Sequence, residues 1–146
     1  MKKTIILLLV LFTASFCDSI GYIDSQLILK QYNRAITAQS DLAKKQKEFQ
    51  DVLMLKQEEL EKAKTENKTE EELLQLKEDL EQELQPQKEA LFQLNQELSQ
   101  KIEKDIVDAT NKISKQLRID VVLDKQVVVI GGMDLTSLVL SKLNNQ

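Results

Sequence analysis

The sequence has no His and no Trp, one Cys, one Pro and three Gly in 146 residues, and only 4% of it is aromatic. Without His, acid–base catalysis and metal binding lose their commonest side chain. The single cysteine, Cys17, excludes an intramolecular disulfide and a Cys-rich zinc site. Three scattered glycines leave no phosphate-cradling loop, so nucleotide-driven chemistry is not expected. No apolar run is long enough to span a membrane: the longest, Ile5 to Phe12, is less than half of the roughly 20 residues required. The sequence reads as that of a non-enzyme, with no cofactor and no metal.

What is present is charge and leucine. Charged residues make up 30%, and Leu, Lys, Glu and Gln dominate, a composition of long helices or coiled coils. Between Lys56 and Glu83, five Lys stand against eleven Asp and Glu, a net charge of −6 in a chain whose total is −4. An acidic middle argues against nucleic acid and anionic membranes as partners. At the start, Lys2 and Lys3 precede the apolar run, and Thr13-Ala14-Ser15 follows it. This is the pattern of a secretory signal peptide over residues 1–19. Cys17 is the candidate lipidation site of a lipoprotein reading, against which bulky Phe16 stands where a small residue is usual.

From about Ser25 to Glu66 there is no Gly or Pro, and Leu27, Ala35, Ala38, Leu42, Phe49, Leu53, Leu60 and Ala63 recur at helical steps. Asp24 or Ser25 caps this helix. Thr69-Glu70-Glu71-Glu72 is a capping box that starts a second helix after a turn near 67–69. Its apolar row runs from Leu73 to Leu117, with Pro86 expected to kink it near Gln82–Gln85. Two such helices joined by a few residues predict a long antiparallel coiled-coil hairpin, the arm, over residues 36–113. Val52, Met54, Leu55, Leu74 and Phe92 fall outside its seam and are the candidate client-contact residues.

The flanks read differently. Ile20–Ile23 is a short strand, and Val121–Asp124 and Val127–Ile130 are two β-branched runs, predicting strands in a hairpin or close crossover. Gly131-Gly132 ends the second run, and a short helix follows. Residues 20–35 and 114–146 therefore form a discontinuous, strand-rich body. It is too small to enclose a sufficient core alone, so association of several copies is expected. The candidate oligomer interface is Tyr22, Ile23, Val121, Leu123, Val127, Val128, Val129 and Ile130. The fold class is mainly α with a small β base that oligomerises.

Ile20-Gly21-Tyr22-Ile23-Asp24-Ser25-Gln26 before a Leu-rich helix resembles the start of the Skp/OmpH family of bacterial periplasmic chaperones. The stretch Ile119 to Lys125, then Val127–Ile130, Gly131-Gly132 and Asp134-Leu135-Thr136, is similar to that family's C-terminal strand block. The resemblance implies a homotrimer with a central strand body and three helical arms around a cavity. It implies an ATP-independent periplasmic holdase that encloses unfolded outer-membrane β-barrel proteins, or other periplasmic clients, before membrane insertion. Well-known members are basic, whereas this chain is acidic, so lipopolysaccharide binding is not carried over. The rival reading is a structural coiled-coil tether of the envelope, lipid-anchored through Cys17.

Overall fold

The computed structural model describes residues 19–66 and 68–145; Cys17 and the expected signal peptide up to residue 18 lie outside them. The chain runs β1 (Ile20–Ile23), α1 (Ser25–Gln31), α2 (Asn33–Thr65), α3 (Glu70–Leu117), β2 (Val121–Asp124), a single 3₁₀ turn (Lys125–Val127), β3 (Met133–Asp134) and α4 (Thr136–Asn144). It is mainly helical, with a small parallel sheet.

The two long helices lie side by side. Arg34 pairs with Asp105 at 2.9 Å and Lys56 with Glu83 at 2.6 Å, so partners along α3 fall in number as positions along α2 rise. Thr69 caps α3 as its sequence requires: its Oγ accepts from the Glu72 amide, and the Glu72 carboxylate accepts from the Thr69 amide at 2.8 Å. Helix α3 continues through Pro86 as one element of 48 residues, about 70 Å long. The carbonyl freed by the proline belongs to Gln82, an exposed position where water can serve it.

The first helical segment departs from expectation. One helix from Ser25 to Glu66 is predicted, but Tyr32 adopts an extended conformation (φ −78°, ψ 113°) and divides it into α1 and α2. The break is held from a distance. Asn144 on α4 accepts from the Asn33 amide at 2.9 Å and donates to the Gln31 carbonyl at 3.0 Å. Tyr32 itself is buried and donates its hydroxyl to Asp105 at 2.8 Å.

The sheet order is β2-β1-β3, with both neighbours parallel to β1. Of the two arrangements predicted for the C-terminal strands, a hairpin or a close crossover, the hairpin is therefore corrected: β2 and β3 lie on opposite sides of β1 and do not pair with each other. After β2, Asp124 accepts from the Gln126 amide at 2.9 Å and curls the chain into the 3₁₀ turn. Val128 to Ile130 then form no strand, and Gly131 and Gly132 take φ of 83° and 89°. Those values favour glycine and redirect the chain so that Met133–Asp134 adds to the far side of β1.

One core sits where the arm meets the base: Ile28, Tyr32 and Ala35 from α1 and α2, Ile106, Ala109 and Ile113 from α3, and Leu135, Val139 and Leu143 at the C-terminal end. Central strand β1 reaches this core through Gly21. A Cβ there would lie 2.8 Å from Leu135 Cδ1 and 3.2 Å from Ile119 Cγ2. Gly21→Ala is expected to cost about 1–3 kcal/mol through overpacking, read as a lower urea midpoint at unchanged slope.

Candidate functional site

Two apolar surfaces remain uncovered, one on the base and one on the arm. On the base, strand alternation decides which side chains are free. Gly21, Ile23 and Val122 face inward, and Ile23 and Val122 pack against the core. Ile20, Tyr22, Val121 and Leu123 share the other face, paired in register as Ile20 with Val121 and Tyr22 with Leu123. Val127, Val129 and Ile130 are uncovered too, with Val129 99% and Ile130 92% exposed. Val128 is half-buried.

Of the interface candidates, the structure thus gathers Tyr22, Val121 and Leu123 on the outer sheet face and leaves Val127, Val129 and Ile130 exposed in the segment after β2. Ile23 departs from that set because its side chain belongs to the core of its own chain. Ile20 and Met133 are exposed apolar residues that the sequence reading did not select. Alternation around inward Gly21 is the signal that could have found Ile20.

Polar contacts fix this base. The Asp24 carboxylate caps α1 by accepting from the Leu27 amide at 2.9 Å, and it pairs with Lys125 at 3.0 Å. The Asp24 amide donates to Thr136 Oγ1, and the Thr136 amide donates to Asp134, both at 2.9 Å. Hydrogen bonds from the Leu27 amide and then Lys125 hold the Asp24 carboxyl below its ordinary value of 3.8. Ser25 and the Gln126 amide do the same for Asp124, and the Thr136 hydroxyl and amide for Asp134.

A depressed folded pKa means that the unfolded chain binds more protons, so these groups contribute stability above the unfolded value. That contribution is lost as pH falls below about 4 and through the depressed values. The urea midpoint is expected to drop between neutral pH and about pH 3, and less so in a Asp24→Asn, Asp134→Asn variant.

On the arm, Met54, Leu55, Leu74 and Phe92 are exposed, Phe92 to 67%. Val52 is corrected: it is half-buried and lines a cleft across the seam with Phe49, Leu91 and Leu94. A turn of 3.6 residues places both the third and the fourth residue after Phe49 above it, so Val52 shares the seam with Leu53.

Near the base, two open clefts flank the same seam residues, Ala38, Leu98 and Ile102. The larger, about 530 Å³, is mostly apolar and includes Leu29, Leu42, Ile106 and Val107. The other, about 310 Å³, carries Arg34, Asp41, Lys101 and Asp105. These are grooves along a helix pair, and nothing in them assembles a nucleophile with a base. Among the described residues, no group of His, Cys, Asp and Glu could hold a metal ion, and no helix is long and apolar enough to cross a membrane.

The family model described as outer membrane protein (OmpH-like) matches residues 19–143, taking in base and arm alike. The chain belongs to the OmpH-like family. No curated protein matches it. In this OmpH-like chain the match begins one residue before β1 and ends within α4, so the uncovered base surface and the exposed arm residues both fall inside it.

Proposed function

We propose that this protein is an ATP-independent periplasmic holdase. Copies associate through the outer sheet face and the Val127–Ile130 segment, as a trimer by family resemblance, and the arms enclose unfolded outer-membrane β-barrel proteins. Residues 1–19 direct export. The observation that carries the reading is the set of exposed apolar side chains, Met54, Leu55, Leu74 and Phe92, spread along an arm whose longer helix measures about 70 Å. Membership of a family of outer-membrane-protein chaperones supports it.

Phe92, Leu74 and the adjacent pair Met54-Leu55 are exposed at separate places along the arm with charged and amide side chains between them, so each offers a weak contact. Many weak contacts around one client give avidity without a tight site, which suits a chaperone that must release its cargo without nucleotide. An arm tip with net charge −6 disfavours anionic surfaces, so lipopolysaccharide and nucleic acid are left out of the assignment.

The test dilutes a urea-unfolded outer-membrane β-barrel protein into the mature protein without nucleotide and follows aggregation by light scattering. Suppression near one oligomer per client supports enclosure. Unchanged aggregation with excess oligomer sinks the holdase and favours a tether, for which intact mass would show a lipid on Cys17.

A further inference from the structure

The segment between the 3₁₀ turn and β3 has little to hold it, yet what it tethers is deeply buried. Val128 is extended (φ −92°, ψ 115°), and its amide donates to the Lys125 carbonyl at 3.2 Å. Val129 and Ile130 come next, almost fully exposed, and their backbone makes no hydrogen bond to the described residues. Gly131 and Gly132 follow with positive φ, and a Cβ on Gly131 would meet nothing within 4 Å. The other exposed aliphatic side chains among the described residues stand on helices, on paired strands or, for Val127, at the end of the 3₁₀ turn. There the backbone is already engaged.

Beyond this segment lie only β3 and α4, and the base depends on both. Leu135, Val139 and Leu143 are three of the nine buried residues of the core. The Leu135 amide donates to the Tyr22 carbonyl at 2.9 Å, and Asn144 bridges the break at Tyr32. A short covalent link keeps such a docked piece at an effective concentration on the order of millimolar. Once the link is cut, the same contacts must form between two separate chains, and the advantage is gone.

We propose that Val127–Ile130 is a proteolytic site, open in an unassembled protomer and covered in the oligomer, where a single cut removes protomers that have not associated. The proposal rests on the association through this surface put forward above, and not on client holding. A peptidase takes its substrate as an extended strand, pairing with the main chain and seating side chains in pockets. A helix must unwind to be bound in this way, and a paired strand must leave its sheet. This segment needs neither, and its valines suit a peptidase with a small, apolar primary pocket, as in elastase. Hydrolysis breaks one peptide bond: water gives its hydroxyl to the carbonyl carbon and a proton to the nitrogen, leaving a carboxylate and an amine. The new carboxylate then stands in the surface through which copies associate, where burying it is costly. The cut chain has also lost its hold on Leu135, Val139, Leu143 and Asn144, so its base comes apart.

Elastase is the probe, acting on the mature protein at a concentration where light scattering reports the oligomer. It acts in parallel on Val121→Asp with Leu123→Asp, which charges the outer sheet face and leaves the segment's own sequence intact. Diluting the unsubstituted protein until it scatters as one protomer supplies the same comparison should that variant lose its helical circular dichroism before digestion. Intact mass over time should show the free protomer cut first within Val127–Ile130, about tenfold or more faster than the oligomer. Helical circular dichroism should then fall as the C-terminal fragment leaves. Equal rates at this segment in oligomer and free protomer, or a first cut elsewhere, overturn the proposal, while client holding by the uncut protein leaves the holdase standing. A cut chain that keeps its C-terminal fragment and regains the oligomer mass overturns it as well. A folded variant that keeps the oligomer mass overturns the association surface on which the proposal rests.

Discussion

Deleting Leu53 to Leu91 and closing the gap with a short flexible turn is expected to leave a folded, associated base that no longer holds an unfolded client. The reason lies in where the core sits. Every residue of the buried cluster, from Ile28 to Ala35 and from Ile106 to Leu143, lies outside the deleted stretch. The cut ends are already neighbours, since Phe49 and Val52 share a cleft with Leu91 and Leu94. What disappears is Met54, Leu55 and Leu74 together with the outer half of the arm. Client aggregation should then match a control without chaperone, while circular dichroism and mass report a shortened but intact assembly. A shortened protein that held clients as well as the full one would overturn the role of the arm.

The second large effect is expected at Val129 and Ile130. They are 99% and 92% exposed, and Ile20, Val121 and Met133 add further uncovered apolar surface. Burying an aliphatic side chain is worth about 1.5–3 kcal/mol, whereas placing a carboxylate in the same contact costs several times RT. Val129→Asp with Ile130→Asp should therefore reduce the mass in light scattering to that of one protomer. Helix content should persist, because neither side chain belongs to the core of its own chain. An unchanged mass would move the interface elsewhere on the base. Val128, which sequence pattern alone singles out equally, is half-buried and would confound dissociation with misfolding.

How much of this could be read from the sequence depended on whether the cause was local. The capping box at Thr69 and Glu72 is fixed by four consecutive residues and was legible. So were β1, β2 and the apolar rows of α2 and α3, whose period is itself the signal. The break at Tyr32 was not, because its two free backbone groups are satisfied by Asn144, more than a hundred residues away. Val127–Ile130 has strong strand propensity, yet a carboxylate at Asp124 and two glycines with positive φ turn it into a bend. Val52 shows the same limit on the arm, where a seam one residue wider than the simplest row decides burial.

The sheet has a consequence for the order of folding. Ile20 pairs with Val121 and Gly21 with Met133, so its strands are joined only by contacts that span most of the sequence. Closing a loop of that length before anything else has formed is slow. The helix pair removes the difficulty, because it can zip from the Thr69 turn one neighbouring contact at a time and deliver the strands to each other as it completes. The arm should therefore gain amide protection before the sheet during refolding, with Leu80 leading Tyr22 in pulsed hydrogen exchange. A chain emerging from a translocation pore would carry β1 unpaired until the last strand followed it out, and the base, first and last in the sequence, would be the final part to exist.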